Sequence, residues 1–159
     1  MGRMPPTLPS SEFGHVAEDI RRLFDDLDGT MGGARDYSSG ECTPALDVFE
    51  TERALEVRID VPGVSRESLR VVFKHGVLII AGSKAPALGA LPGGASFQLV
   101  EREFGRFARA VRLNGTVDVT QARARLAHGE LRIVVPKIVD RRGQEMRISV
   151  EPGLAEPGS

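Results

Sequence analysis

Two short runs set a histidine beside a glycine ahead of the same apolar pattern: KHGVLIIAG at residues 74–82 and AHGELRIVVP at 127–136. Imidazoles are common zinc ligands and common general bases, so His75 and His128 are the first residues to weigh for chemistry. A zinc centre needs three or four ligands at characteristic spacing, and here Cys42 stands alone with no CxxC or HExxH run beside it. No metal and no cofactor is expected. Nucleophilic chemistry lacks its motifs as well: there is no GxSxG elbow, no GxxxxGK[ST] phosphate loop and no GxGxxG run after a strand. Ser83 and Lys84 lie near glycines in GSKAPALG, but in the wrong order for a phosphate loop. Glu101 and Glu103 alternate with Arg102, as on a solvated strand face. Cys42 has no activating neighbour in sequence. No catalytic residue is assigned, and an enzyme is the weaker class.

The repeated letters have a backbone explanation. A two-residue hairpin of type I′ requires positive φ at both central positions, which Gly supplies freely and His tolerates better than most residues. His75-Gly76 then joins SLRVVFK to VLIIAG, and His128-Gly129 joins QARARLA to ELRIVV. ALDVFE, ALEVRIDVP, FQLVERE and RFARAVRL complete a series of eight short strands from Pro44 onward. Eight strands at close spacing without an internal helix predict an all-β, antiparallel sandwich or barrel. SKAPALGALPGGAS, residues 83–96, reads as a long mobile connection whose path the sequence leaves open.

Ahead of these strands, Phe13, Val16, Ile20, Leu23, Phe24 and Leu27 recur at spacings of three and four, which predicts an amphipathic helix from about Ser11 to Leu27. Asp25, Asp26 and Asp28 crowd its C-terminal end, where the macrodipole disfavours negative charge, so its last turn is expected to fray. Two roles are open for the helix: docking on its own domain, or serving as a sticky arm for partners and other copies. A Gly/Ser-rich run, GTMGGARDYSSGE, follows it. Across the chain 21 basic residues nearly cancel 22 acidic ones, which gives no reason to expect a nucleic acid as partner. There is no signal-peptide run and no stretch approaching a membrane span, so a soluble, cytoplasmic protein is expected.

Three segments carry a family resemblance. LAHGELRIVVPK preceded by Ala124 is similar to the A-x-x-x-[ND]-G-v-L-x-i-x-x-P signature of the α-crystallin domain of bacterial-type small heat-shock proteins, matching at Ala124, Gly129, Leu131, Ile133 and Pro136. DVPGVSRESLRV and EREFGRFARAVRL resemble two further segments of that domain, in the right order. His128 stands where the family has Asn or Asp, and Asn114 where it commonly has Pro. The resemblance implies an immunoglobulin-like β-sandwich over residues 44–138, an N-terminal arm over 1–43 and a C-terminal extension over 139–159.

Further implications concern assembly and function. FQLVER, with Phe97 and Leu99, would cross to pair with a partner subunit's sheet, and Arg109 would form an ion pair across the dimer axis, its alternative being a solvated strand arginine. Ile148 and Val150 match an I-x-[IV] tail motif; in an extended segment both point the same way and can plug one apolar slot on a neighbour. That slot lies between Val71 and Phe73 on one side and Ala122, Ala124 and Leu126 on the other, the alanines leaving room for the visitor. The alternative is that MRISV is a ninth strand of its own domain. The implied function is that of an ATP-independent holdase, which assembles with itself into dimers and larger homo-oligomers and captures non-native clients under stress. The Phe13 to Leu27 stripe would serve as client or arm contact. A co-chaperone or scaffold of CS-domain type, binding one folded partner, is the alternative.

Overall fold

The computed structural model describes residues 10–30, 42–85, 93–139, 143, 145 and 147–150. Alternation becomes pairing from Leu46 onward. Among the described residues one α-helix, α1 (Ser10–Thr30), precedes seven strands: β1 (Leu46–Glu50), β2 (Ala54–Asp60), β3 (Leu69–Lys74), β4 (Val77–Lys84), β5 (Gly105–Arg112), β6 (Arg123–Ala127) and β7 (Glu130–Pro136). They form two antiparallel sheets, ordered β1-β2-β7-β6 and β3-β4-β5, which face each other as a sandwich. FQLVERE is the expected strand that is not found: residues 95–104 carry no strand, and they are exposed apart from the half-buried Phe104. A strand needs an edge to pair with, and none among the described strands receives this segment.

Both hairpins close as their letters imply. His75 and Gly76 have φ of 51° and 79°, and His128 and Gly129 have 52° and 74°. The turns hold Lys74 opposite Val77 and Ala127 opposite Glu130. That registry decides which side chains turn inward, because strand residues alternate and directly paired residues share a face. Leu55, Val57 and Ile59 of β2 pair with Val135, Ile133 and Leu131 of β7. Across the sandwich, Leu78 and Ile80 of β4 and Phe107 of β5 complete the same core. Each such aliphatic side chain contributes roughly 1.5–3 kcal/mol on burial. At Gly82 a Cβ would fall on the Phe107 ring, so the ring occupies the space that a side chain would take.

One margin of the sandwich is stitched shut. Cys42 N–H donates to the Arg106 carbonyl at 3.4 Å, and the Arg109 guanidinium donates to the Pro44 carbonyl at 2.7 Å, tying the lead into β1 to strand β5. With β1 against β5, the opposite margin is formed by the edge strands β6 and β3.

Candidate functional site

The β3/β6 margin is where the sequence places its slot. Val71 pairs with Ile80 and Phe73 with Leu78, so both β3 side chains point inward, half-buried against the core. Ala124 pairs with Ile133 and Leu126 with Leu131, so β6 also turns these residues inward. Leu126 is half-buried, while Ala122 and Ala124 are exposed, which leaves β6 with little side-chain volume at the margin. The tail does not fill the margin of its own domain: Ile148 and Val150 are 85% and 95% exposed. Residues 147–150 are not in a strand, so MRISV is not a ninth strand of this sandwich.

Phe97 and Leu99 are 51% and 73% exposed, and neither meets the core. On the far side of the four-stranded sheet β1 pairs, among the described residues, with β2 alone, leaving its other edge without a strand partner there. Arg109 is half-buried on β5, opposite Ile80, and its described contact is the bond to Pro44 within the same chain.

The helix takes the docked arrangement. Val16 packs with Val77 and Ile79, joined by Ile20, Leu23 and Ala110. Leu27 is buried and Phe24 half-buried, with the Arg106 guanidinium 5.1 Å from the Phe24 ring centroid; the side chain of Phe13 lies outside the described residues, as do residues 1–9 and the linker 31–41. Fraying of the last turn is not found, since α1 runs to Thr30. The aspartates that oppose the macrodipole have partners in the sheet instead: Asp26 meets Arg70 at 2.6 Å and Asp28 meets Arg106 at 3.6 Å, while Asp19, in the middle of the helix, meets Lys74 at 3.0 Å. These bases escaped the sequence reading. The signal was there in their alternation, Arg70 with Lys74 and Arg106 with Arg112, but only pairing register puts the two strands' bases on one face.

Among the described residues no three His, Cys, Asp or Glu side chains gather as a metal site. Burial pushes the Cys42 thiol up, with Glu103 acting in the same direction and Lys84 opposing, so it is held protonated near neutral pH. Half of the 83–96 connection, residues 86–92, lies outside the described residues. No helix among the described residues is long and apolar enough to cross a membrane.

Comparison with known proteins is consistent with this geometry. The profile of the Hsp20/alpha crystallin family matches residues 47–151, from β1 through the Ile148–Val150 tail. Heat shock protein 16 of Schizosaccharomyces pombe is 26% identical over 119 residues, 75% of this chain and 83% of that protein. An 18.9 kDa heat shock protein of Oryza sativa is 40% identical over 101 residues, 63% of this chain and 56% of that one. A chloroplastic small heat shock protein of Triticum aestivum is 29% identical over 137 residues, 86% of this chain; the alignment spans 58% of the wheat protein. Among solved structures, heat shock protein 16.0 from S. pombe superposes with a TM-score of 0.59 at 25% identity, covering 69% of this chain and 99% of that one. The hspA protein of Xanthomonas axonopodis gives 0.53 at 26% identity, over 59% of this chain and 92% of that one.

Proposed function

This chain belongs to the Hsp20/alpha crystallin family, and from that premise we propose that it is an ATP-independent holdase of the cytoplasm, binding partly unfolded proteins and keeping them from aggregating. Family membership supports a chaperone role. Such a role needs no catalytic residue and no cofactor.

The observation that carries the finer reading is a mismatch within one chain. Ile148 and Val150 stand almost wholly in solvent, while the β3/β6 margin holds an apolar rim of Val71, Phe73 and Leu126 beside two exposed alanines, Ala122 and Ala124. Two such surfaces on one molecule satisfy each other between molecules. Burial of each side chain contributes roughly 1.5–3 kcal/mol before ordering costs, so a single tail link is reversible. Phe97 and Leu99, exposed and unpaired, supply the dimer contact by adding a strand to the partner's sheet. Arg109 forms an ion pair across the dimer axis. Dimers joined by weak tail links then build larger homo-oligomers, in which many links hold together while single subunits exchange. Heat releases links and exposes apolar surface, and client segments bind where arms and tails had been, including the helix stripe from Phe13 to Leu27.

The test is light scattering from a heat-labile enzyme at its unfolding temperature, without nucleotide, as this protein is titrated in. Suppression that rises with dose near equal mass ratio, and is absent with an inert protein, supports the holdase. Unchanged scattering at several-fold excess rejects it.

A further inference from the structure

Each sheet of a sandwich has an outer face, and that of β3-β4-β5 has an unusual composition. Pairing of Lys74 with Val77, Val72 with Ile79 and Arg70 with Ala81 fixes what β3 contributes. Pairing of Val77 with Arg112, Ile79 with Ala110, Ala81 with Ala108 and Ser83 with Arg106 fixes the rest. The face is therefore an apolar strip along β4, flanked by two bases on β3 and two on β5, and its strands place no acidic side chain on it. Ala108 and Ala110 are small enough for a helix to approach closely.

The complement is α1. It carries six acids against two arginines, with Val16, Ile20 and Leu23 at positions i, i+4 and i+7. Those three side chains lie against the strip, and Asp19, Asp26 and Asp28 reach Lys74, Arg70 and Arg106. Chain connectivity does not require this arrangement, since α1 belongs to neither sheet and is separated from β1 by residues 31–45. Shape, apolar register and charge sign all match.

We propose that the outer face of β3-β4-β5 is a binding site for acidic amphipathic helices, and that α1 is its resident ligand. A client helix with α1's pattern, apolar at i, i+4 and i+7 with carboxylates alongside, enters by displacing α1. The site is distinct from the β3/β6 margin, which takes an extended tail through inward-facing side chains of other residues. Occupancy by α1 keeps the strip covered until competition, or salt that screens the ion pairs, releases it. The chaperone reading gives the site a use, but its geometry stands apart from that reading.

The probe is a fluorescently labelled peptide of residues 10–30, titrated into two full-length proteins and followed by anisotropy. One is the unaltered chain. The other carries D19K, D26K and D28K, which eject its own helix and leave the sheet unchanged. The peptide is expected to bind the charge-reversed chain at least about ten-fold more tightly than the unaltered one, because a site already occupied is discounted by its free fraction. Raising salt from about 50 mM to about 500 mM should weaken that binding several-fold. Adding R70E, K74E and R106E to the charge-reversed chain should abolish binding of the unaltered peptide. Equal binding to both chains, or binding indifferent to salt, overturns the proposal.

Hydrogen exchange gives an independent readout should the reversed chain fold poorly. In an otherwise unaltered protein, R70E with K74E should strip protection from amides 16–27, and unchanged protection there rejects the docking. Peptide binding without suppression of client aggregation would remove the holdase and leave this site standing. Suppression without peptide binding would do the reverse.

Discussion

Glu56 is buried on β2, yet it stays ionised because Arg132 on β7 grips it with two bonds of 3.0 Å each. That hydrogen bonding, helped by the charges of Arg132 and Arg58, holds its carboxyl below the ordinary range despite desolvation. A carboxyl depressed in the folded state contributes stability above its unfolded pKa and loses it as pH falls through the folded one. The unaltered protein should therefore lose thermal stability below about pH 4, and Glu56→Gln should flatten that part of the profile in melting curves from pH 7 to 3. Gly82 presents a steric case: Gly82→Val drives a side chain into Phe107 and should cost about 1–3 kcal/mol in urea unfolding. At Cys42, alkylation by iodoacetamide should be slow in the native state and speed up on unfolding, since burial favours the neutral thiol. Neither the grip on Glu56 nor the contact at Gly82 was legible in the sequence. Both depend on side chains from distant strands, Glu56 and Arg132 being 76 residues apart.

Elements were more legible wherever their cause is local. HGxLxI announced two turns because positive φ at two successive residues is a demand few pairs meet, and both turns have it. His128→Asn, which keeps the left-handed tolerance, should leave stability unchanged or slightly raised. His128→Val should cost about 1–3 kcal/mol by thermal melting, since a β-branched side chain is strained there. The helix periodicity was also readable, and the structure extends it to Thr30. What misled was reading its aspartates against the macrodipole alone, when the arginines that meet them come from two other strands. FQLVER failed as a strand for a related reason. Its alternation supplies one half of a pairing, and no strand among the described residues supplies the other.

At the scale of the whole molecule, the assembly predictions follow from the proposed layout of arm, sandwich and tail that the family resemblance implies. Substituting Ile148 and Val150 together by Ser should shrink the native particle toward dimers in size-exclusion chromatography with light scattering. An unchanged mass would remove the tail link. Deleting residues 1–43 should leave a folded dimer that has lost the Phe13 to Leu27 stripe and gained an uncovered β3-β4-β5 strip; poor client capture in the scattering assay would assign capture to the stripe, and full protection would assign it to the strip. The sheet order has a further consequence, in time. Strand β2 is bonded on its far side to β7, and the chain between Glu56 and Arg132 must be synthesised before that bond can form. At about 5–20 residues per second this leaves β2 without its β7 partner for roughly 4–15 s on the ribosome. The β3-β4 hairpin emerges inside that interval, while α1, made earlier, is already free to lie on its outer strip. The outer strip thus has a cover at hand before β2 meets β7.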